Sequence, residues 1–488
     1  MKFHSLLFVD FLSHSYHFSL LDDILTSEIG NRKMKNSVYD LLCSILLGVG
    51  NMCMFMGYDT QLTIVEPVLR SVHDRSPHSI DAHAGYYGVS VMTIVFTLMN
   101  LLAPWALEKL GSKLSLFLGS LLFTIHLISF FFVHWFPFYF TTATLGIGYA
   151  LFYAGHGSYI TEHSTRKTIE RNSALTWALA TSSLILGGLV LLFTVNSSSK
   201  QTISNITQSY QSYREYSDSE IKLMYGSFAL VCVVSNIIFA VLPMSSLQNS
   251  ISDSESKEKI GLKKQLRNIY ETFFDRRIVK TAPVFISLGI TTTFWINIYP
   301  TTLIFSKQLS SMIYLPAYYT IVVGVGEMLM GCIISLVSKR VKNFARMPTL
   351  ITGTILFLCA LLLSFFSTPI WATNTPSEVE SLVIQPSLFL SLFIGILLGM
   401  ADNSLNTSRT VLCALVIPDR ISQVFSISKF YQSLSMSICA FLAPLVSINF
   451  WLILTIITSL ISVPFYGSVS RSIVTRSPTA TLRLSMRC

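Results

Sequence analysis

Long apolar runs recur along the whole 488-residue chain and constrain its fold more than any other feature. A helix needs about 20 predominantly apolar residues to cross a bilayer, and most of the runs reach that length. Backbone polar groups in lipid must be satisfied within the segment, so the runs predict helices. They do not alternate, which argues against a membrane β-barrel. Only 12% of the residues are charged, against roughly 25% in soluble domains. The predicted spans are 39–63, 84–107, 114–133, 137–160, 173–195, 224–243, 279–305, 315–338, 347–368, 386–416, 422–446 and 450–469.

These spans predict an all-α polytopic membrane protein with twelve transmembrane helices in two six-helix bundles. The longest hydrophilic interior stretch separates six spans from six, as expected of two repeated bundles. Its second part, residues 262–274, has the pattern of a short amphipathic helix on the membrane surface. The predicted segments are a disordered N-terminal extension (1–37), a first bundle (38–244), a cytoplasmic loop (245–277), a second bundle (278–470) and a cytoplasmic tail (471–488). Within the extension, residues 1–33 precede Met34, a more natural start, so their expression is in doubt.

The basic residues predict the orientation of the spans. The formal net charge is +9, and most Lys and Arg fall in loops on one side, which the positive-inside rule makes cytoplasmic. Both termini are then cytoplasmic, in either the plasma membrane or an endomembrane. No basic stretch is interleaved with aromatic residues, so nucleic acid is excluded as a partner. The loop after span five faces the other side and contains two glycosylation sequons, at Asn196 and Asn205.

Motifs for catalysis, cofactors or metals are absent from the sequence. The eight cysteines show no metal-binding or redox spacing. Neither a Walker loop nor a nucleotide fingerprint nor a catalytic triad occurs. We therefore predict no cofactor, no metal and no enzymatic activity.

A polar stretch, Gly399–Thr410, interrupts the apolar run of span ten. Asp402, Asn406 and Arg409 are spaced by four and three residues and so share one helix face. Two further charges, Glu327 and Lys429, lie inside spans eight and eleven. A charge at membrane depth costs several kcal/mol unless it faces a cavity or a partner. Counted along the helices, Lys429 is within reach of either acid, so these side chains are candidates for a buried cluster.

Several stretches together resemble the uncoordinated-93-like family of the major facilitator superfamily, over about residues 38–470. The loop Glu108–Lys113 is similar to a degraded form of the superfamily's loop after span two, although a plain positive-inside turn is the alternative interpretation. The other stretches that carry the resemblance are Leu47–Gln61, Gly146–Ile160, Arg171–Ala178, Gly324–Met328, Gly399–Thr407 and Phe425–Ser433.

The resemblance implies a facilitator fold in which spans seven, eight, ten and eleven line a central cavity. Glu327, Asp402, Asn406 and Lys429 would then form a charge cluster facing that cavity. The cluster is either an ion-pair network that holds the helices together or a site for a substrate or a proton.

Three further polar residues, Asp59, His156 and Arg409, are candidates for cavity or packing positions. The resemblance implies a neutral glutamine in relatives where this chain has His156, so a pH-sensing role competes with simple helix packing. Asp59 and Glu66 come about 20 or more residues after the start of span one, and we expect both near the hydrated outer interface.

Two functions remain open. The resemblance implies an interaction protein, a regulatory or trafficking partner of an ion channel or receptor, such as the two-pore potassium channels that some relatives regulate. The alternative is a secondary transporter, proton-coupled or not, of an unknown small solute, which the buried charges favour. The predicted partners are the lipid bilayer, a channel or receptor subunit, and a small solute.

Overall fold

The computed structural model describes residues 36–165, 168–202, 213–244, 250, 262–338, 340–341, 343–417 and 420–475. Within these residues the regular structure is helical, apart from an isolated bridge between Ser306 and Ser377. The helices are α1 (Asn36–Leu62), α2 (Val65–Arg75), α3 (Ala84–Ser129), α4 (Trp135–Glu162), α5 (Ile169–Thr202), α6 (Asp218–Val241), α7 (Leu262–Phe273), α8 (Arg276–Thr293), α9 (Tyr299–Phe305), α10 (Leu315–Ser338), α11 (Met347–Ser367), α12 (Leu388–Val416), α13 (Ile421–Leu442) and α14 (Ile448–Thr475).

Twelve membrane-crossing helices can be traced in the described chain. By length and composition, nine helices qualify as spans, one of which joins α8 and α9 through a π turn at Phe294–Ile298. The 46-residue α3 is itself two spans. The other two are α4 and α13, whose 28 and 22 residues suffice to cross a bilayer. Gly, Tyr and Thr residues make α4 less apolar than the other spans, and Ser residues do the same for α13. The predicted all-α fold with twelve transmembrane helices is confirmed.

Gly111 separates the two spans within α3. Its φ of 75° lies in the left-handed region, which an L side chain adopts only with strain. No heavy atom lies within 4 Å of where a Cβ would stand, so backbone conformation rather than crowding requires glycine. We call this side of the protein the Gly111 face. The opposite side, where α2 follows α1, is the Glu66 face.

Two six-helix bundles meet along two helix pairs. In the first bundle α1 packs on α5 and α6, and α3 on α4; in the second, α12 packs on α10 and α11, and α8 on α13 and α14. The bundles contact each other where α3 meets α13 and where α5 meets α10. Small hydroxyl side chains let helices approach closely and bond across the gap. The α3–α13 bonds are Ser90 Oγ to Ser437 O (2.9 Å), Thr97 Oγ1 with Ser433 Oγ (2.7 Å) and Asn100 Nδ2 to Ser426 O (2.8 Å).

The predicted segment limits stay predictions. Helix α1 begins at Asn36, slightly before the predicted bundle limit at 38, and α14 runs to Thr475, into the predicted tail. Most of the predicted extension and tail lies outside the described residues. The predicted amphipathic segment contains α7, which packs against α13 on the Gly111 face.

Candidate functional site

Asp402, halfway along α12, is the best-bonded charge in the centre of the protein. Its Oδ1 accepts a hydrogen bond from Trp295 Nε1 at 2.8 Å, and its Oδ2 accepts one from Asn406 Nδ2, also at 2.8 Å. Asn406 lies one helical turn further along α12, as the spacing predicts. Two donors satisfy much of the hydrogen-bonding capacity of a buried carboxylate. Asp402 is thus held firmly between α12 and the π turn.

The π turn explains how Trp295 comes to face Asp402. The Tyr299 amide donates to the Phe294 carbonyl, five residues back, so the usual partner of the Trp295 carbonyl is lost. The hydroxyl of Tyr319 on α10 donates to that carbonyl instead. Single π turns inside α-helices are frequent at functional sites. Trp295 was not predicted from the sequence, because an aromatic residue in an apolar run has no distinctive pattern.

Lys429, on α13, lies against the opposite bundle. Its ammonium nitrogen is 4.8 Å from the ring centroid of Tyr153 on α4, a cation–π distance. Among the described residues, the ammonium forms no direct ion pair with Glu327 or Asp402. Its charge still acts on Asp402 at longer range. The contact therefore links the two bundles, and Tyr153 is a second residue that sequence patterns did not reveal.

Arg409 is buried between α12 and α13. Its Nη1 donates to Gln432 Oε1 at 3.3 Å, while its Nε has no partner within the described residues. Its charge reaches Asp402 and Lys429. Arg409 thus belongs beside the central charges, one of the two positions expected for it.

Two carboxyl groups from opposite bundles, Asp59 and Glu327, complete the site. Both lie within range of electrostatic repulsion from Asp402 and from each other. Glu327 is 8% exposed and Asp59 is half-buried, yet neither has a hydrogen bond in the described part of the chain. Asp59 lies three residues before the end of α1, and its charge reaches Asp402 halfway along α12. The expected interfacial depth of Asp59 stays a prediction. We call Asp59, Glu327, Asp402, Asn406, Arg409 and Lys429 the central cluster.

Glu66 also departs from expectation, because it is completely buried instead of hydrated. Helix α2 folds it against the start of α3, where His83 Nδ1 lies 3.0 Å from Oε1 and the Tyr86 amide donates to Oε2 at 2.9 Å. Burial raises the pKa of the Glu66 carboxyl above its ordinary value, and the bonds to His83 and Tyr86 oppose that rise. Tyr86 in turn donates from its hydroxyl to the Thr373 carbonyl of the second bundle.

His156 lies outside the central cluster. It is 9% exposed on α4, and its ring centroid is 5.8 Å from those of Phe152 and Trp177. These contacts favour the packing interpretation over a pH-sensing role.

Only one of the two predicted sequons lies within the described residues. Asn196 is an exposed residue of α5, and its Oδ1 accepts a hydrogen bond from Tyr314 at 3.3 Å. Asn205 lies outside the described residues. Glycosylation of both stays a prediction.

The central cluster brings three carboxyl groups, a lysine and an arginine to the contact between the bundles. Throughout the described ranges, no group of three His, Cys, Asp or Glu residues is arranged to hold a metal ion. Carboxyl, ammonium and guanidinium groups placed in this way can attract one another electrostatically, and the carboxyl groups can bind a proton. Two six-helix bundles with charged residues at their contact are an arrangement of the facilitator type of fold.

Comparison with known proteins shows the family. A family model described as "Ion channel regulatory protein UNC-93" matches residues 76–466. The chain therefore belongs to the UNC-93 family, which confirms the resemblance found in its sequence.

Curated relatives agree with this assignment. The UNC93-like protein MFSD11 of Xenopus laevis is 24% identical over 449 residues, covering 88% of this chain and 95% of the relative. The protein of the same name from Xenopus tropicalis is 25% identical over 453 residues, with the same coverage.

Solved structures of transporters share the fold. A POT family transporter in complex with 5-aminolevulinic acid has a TM-score of 0.61 at 12% identity, covering 88% of this chain and 96% of its own. A mutant of the nucleoside transporter NupG has a TM-score of 0.59 at 12% identity, covering 88% and 99%. At such low identity these similarities concern the fold alone.

Proposed function

We propose that this multi-pass membrane protein is a regulatory or trafficking partner of an ion channel or receptor. The match of residues 76–466 to a model described as an ion channel regulatory protein carries this proposal. Its two bundles form the body that a partner subunit contacts within the bilayer. Binding and positioning of that subunit require no chemical reaction, so the protein acts without catalysis.

The bonding of Asp402 supports a structural use of the central charges. Its carboxylate has two donors at 2.8 Å, and Lys429 is held by the Tyr153 ring. These contacts favour one packing of α12 against the π turn and of α13 against α4. A regulatory subunit can retain these contacts only because they maintain the shape of the protein.

The orientation that we propose has both termini and the Gly111 face in the cytoplasm. The positive-inside distribution of Lys and Arg supports it. The sequons at Asn196 and Asn205 then lie in the lumen or outside the cell. Treating the protein from cells with an N-glycosidase tests this. We expect the enzyme to shift the mobility of the wild type, and we expect a smaller shift for Asn205→Gln. If neither asparagine carries a glycan, the sequons no longer support this orientation.

Purification from native membranes tests the regulatory role. The tagged full-length protein should carry a channel or receptor subunit at about equal amounts, identified by mass spectrometry. Removing this chain from the cell should then lower the surface level or the activity of that subunit. An unchanged subunit after removal would contradict the proposal.

A second function, proton-coupled transport of a small solute, rests on a separate observation. Asp59 and Glu327 come from opposite bundles and lie within electrostatic range of each other, and neither side chain forms a hydrogen bond within the described residues. In a facilitator fold the bundles rock about a central site, so carboxyl groups on both sides can bind and release a proton during the cycle. The solved relatives of this fold include transporters.

Neutralising the unbonded acids separates the two functions. Glu327→Gln and Asp59→Asn should abolish solute-driven proton uptake in proteoliposomes if the protein is a transporter. They should leave partner binding intact if it is a regulator. Glu378→Gln is the matched control, because Glu378 is an exposed acid paired with Lys307 at 3.1 Å, far from the cluster in the fold.

A further inference from the structure

The exposed side of α7 carries different types of residue at its two ends. Lys263, Arg267, Tyr270 and Phe274 follow one another at intervals of four, three and four residues and so form a single stripe. All four are exposed, with Tyr270 at 67% and Phe274, just beyond the helix end, at 62%. The stripe is basic at the start of α7 and aromatic at its end, which suits a boundary between polar and apolar surroundings.

The inward side of α7 is fixed to the protein. Phe273 stacks on Tyr431 of α13, with ring centroids 5.2 Å apart, and Ile269 and Thr272 are buried. Arg420, at the start of α13, donates to Thr272 Oγ1 and forms an ion pair with Glu271, both at 3.2 Å. The orientation of α7 about its own axis is therefore fixed, and the same stripe of residues faces outward.

Positive charge predominates on this part of the surface. Arg267 contacts Glu271 through Nε at 2.9 Å, and Arg420 shares the same carboxylate, so one acid is set against two guanidinium groups. The Arg267 side chain remains 78% exposed. Lys263 and Lys264 add two charges one turn earlier, and the exposed Arg276 follows at the start of α8.

We propose that α7 binds the headgroups of anionic phospholipids in the leaflet on the Gly111 face, with Lys263, Lys264 and Arg267 at phosphate depth and Tyr270 and Phe274 at the acyl boundary. Charge complementarity selects this occupant, since basic residues beside a membrane attract anionic lipids. Aromatic rings favour the interface between headgroups and acyl chains. The surface lies outside the central cluster and does not depend on either proposed function.

Photolabelling of the full-length protein in nanodiscs tests this proposal. Photoreactive phosphatidylserine serves as the anionic probe and photoreactive phosphatidylcholine as the neutral one, and labelled peptides are located by mass spectrometry. Residues 262–280 should be labelled preferentially by phosphatidylserine, and added salt should weaken the preference.

The triple variant Lys263→Gln, Lys264→Gln, Arg267→Gln should lose this preference by roughly tenfold. The control variant Arg70→Gln, Lys222→Gln, Lys307→Gln removes as many charges from the Glu66 face and should keep it. Tyr270→Ser with Phe274→Ser should reduce labelling by both lipids. Equal labelling by the two lipids in the wild type, or equal loss in triple and control variants, would overturn the proposal.

Discussion

At the scale of single residues, the sequence identified the charges but not their partners. Asp402 and Lys429 are conspicuous because a charge in an apolar run costs several kcal/mol. Trp295 and Tyr153, which contact them, resemble any lipid-facing aromatic residue. The proximity of Asp59 to Asp402 was not predicted, because helix register against the second bundle cannot be read from span length. A full list of contacts therefore required the fold.

Gly399 illustrates a residue whose role is packing. A Cβ on it would approach the Val323 carbonyl carbon at 2.9 Å and the Glu327 amide at 3.1 Å, both of them backbone. Gly399→Ala should therefore push α12 from α10 and destabilise the protein by about 1–3 kcal/mol. Thermal unfolding in detergent measures this. Gly157→Ala is the control, because no atom lies within 4 Å of its Cβ position; an equal loss there would refute the packing explanation.

Glu66 gives a prediction about pH. Burial raises the pKa of its carboxyl above the ordinary 4.5, so ionisation costs folding free energy. This contribution to stability is complete below pH 4.5 and is lost as pH rises through the folded-state pKa. Glu66→Gln cannot ionise, so the melting temperature of the wild type relative to the variant should fall as pH rises. A difference independent of pH would contradict this, and Glu378→Gln should retain the wild-type curve.

At the scale of helices, the spans were predictable because length and apolarity are local properties. The predicted limits of spans eight and nine, 315–338 and 347–368, nearly coincide with α10 and α11. The π turn at Phe294–Ile298 was not predictable, since it depends on the Tyr319 hydroxyl, on another helix, donating a hydrogen bond to the freed Trp295 carbonyl. Helix α5 continues to Thr202, beyond the predicted span 173–195, and this extension was not predictable from the apolar run either.

The break in α3 depends on one residue. Gly111→Ala would place a side chain at φ 75° and ψ 170°, a region essentially restricted to glycine, which costs about 1–3 kcal/mol. The melting temperature should fall, although no contact is lost. Gly157→Ala again provides the comparison, because it adds the same methyl group within a helix. Equal stability of the two variants would show that the break tolerates other residues.

At the scale of the whole molecule, six-plus-six architecture followed from the sequence, whereas the surfaces joining the bundles did not. The Ser-rich helix α13 was predicted as a span. Its hydrogen bonds to α3 were not predicted, because they depend on which helices become neighbours. Membership of the UNC-93 family and the transporter fold of the solved relatives are compatible with both proposed functions. The central claim is that this chain works through a partner protein.

The most direct test is a rescue experiment in cells lacking this chain. The surface level of the copurifying channel or receptor subunit is measured after return of the wild type or of Glu327→Gln. We expect both to restore the subunit, because a regulator needs the fold but not a proton on Glu327. Failure of the wild type to change the subunit, together with solute uptake that Glu327→Gln abolishes, would contradict it and identify a transporter.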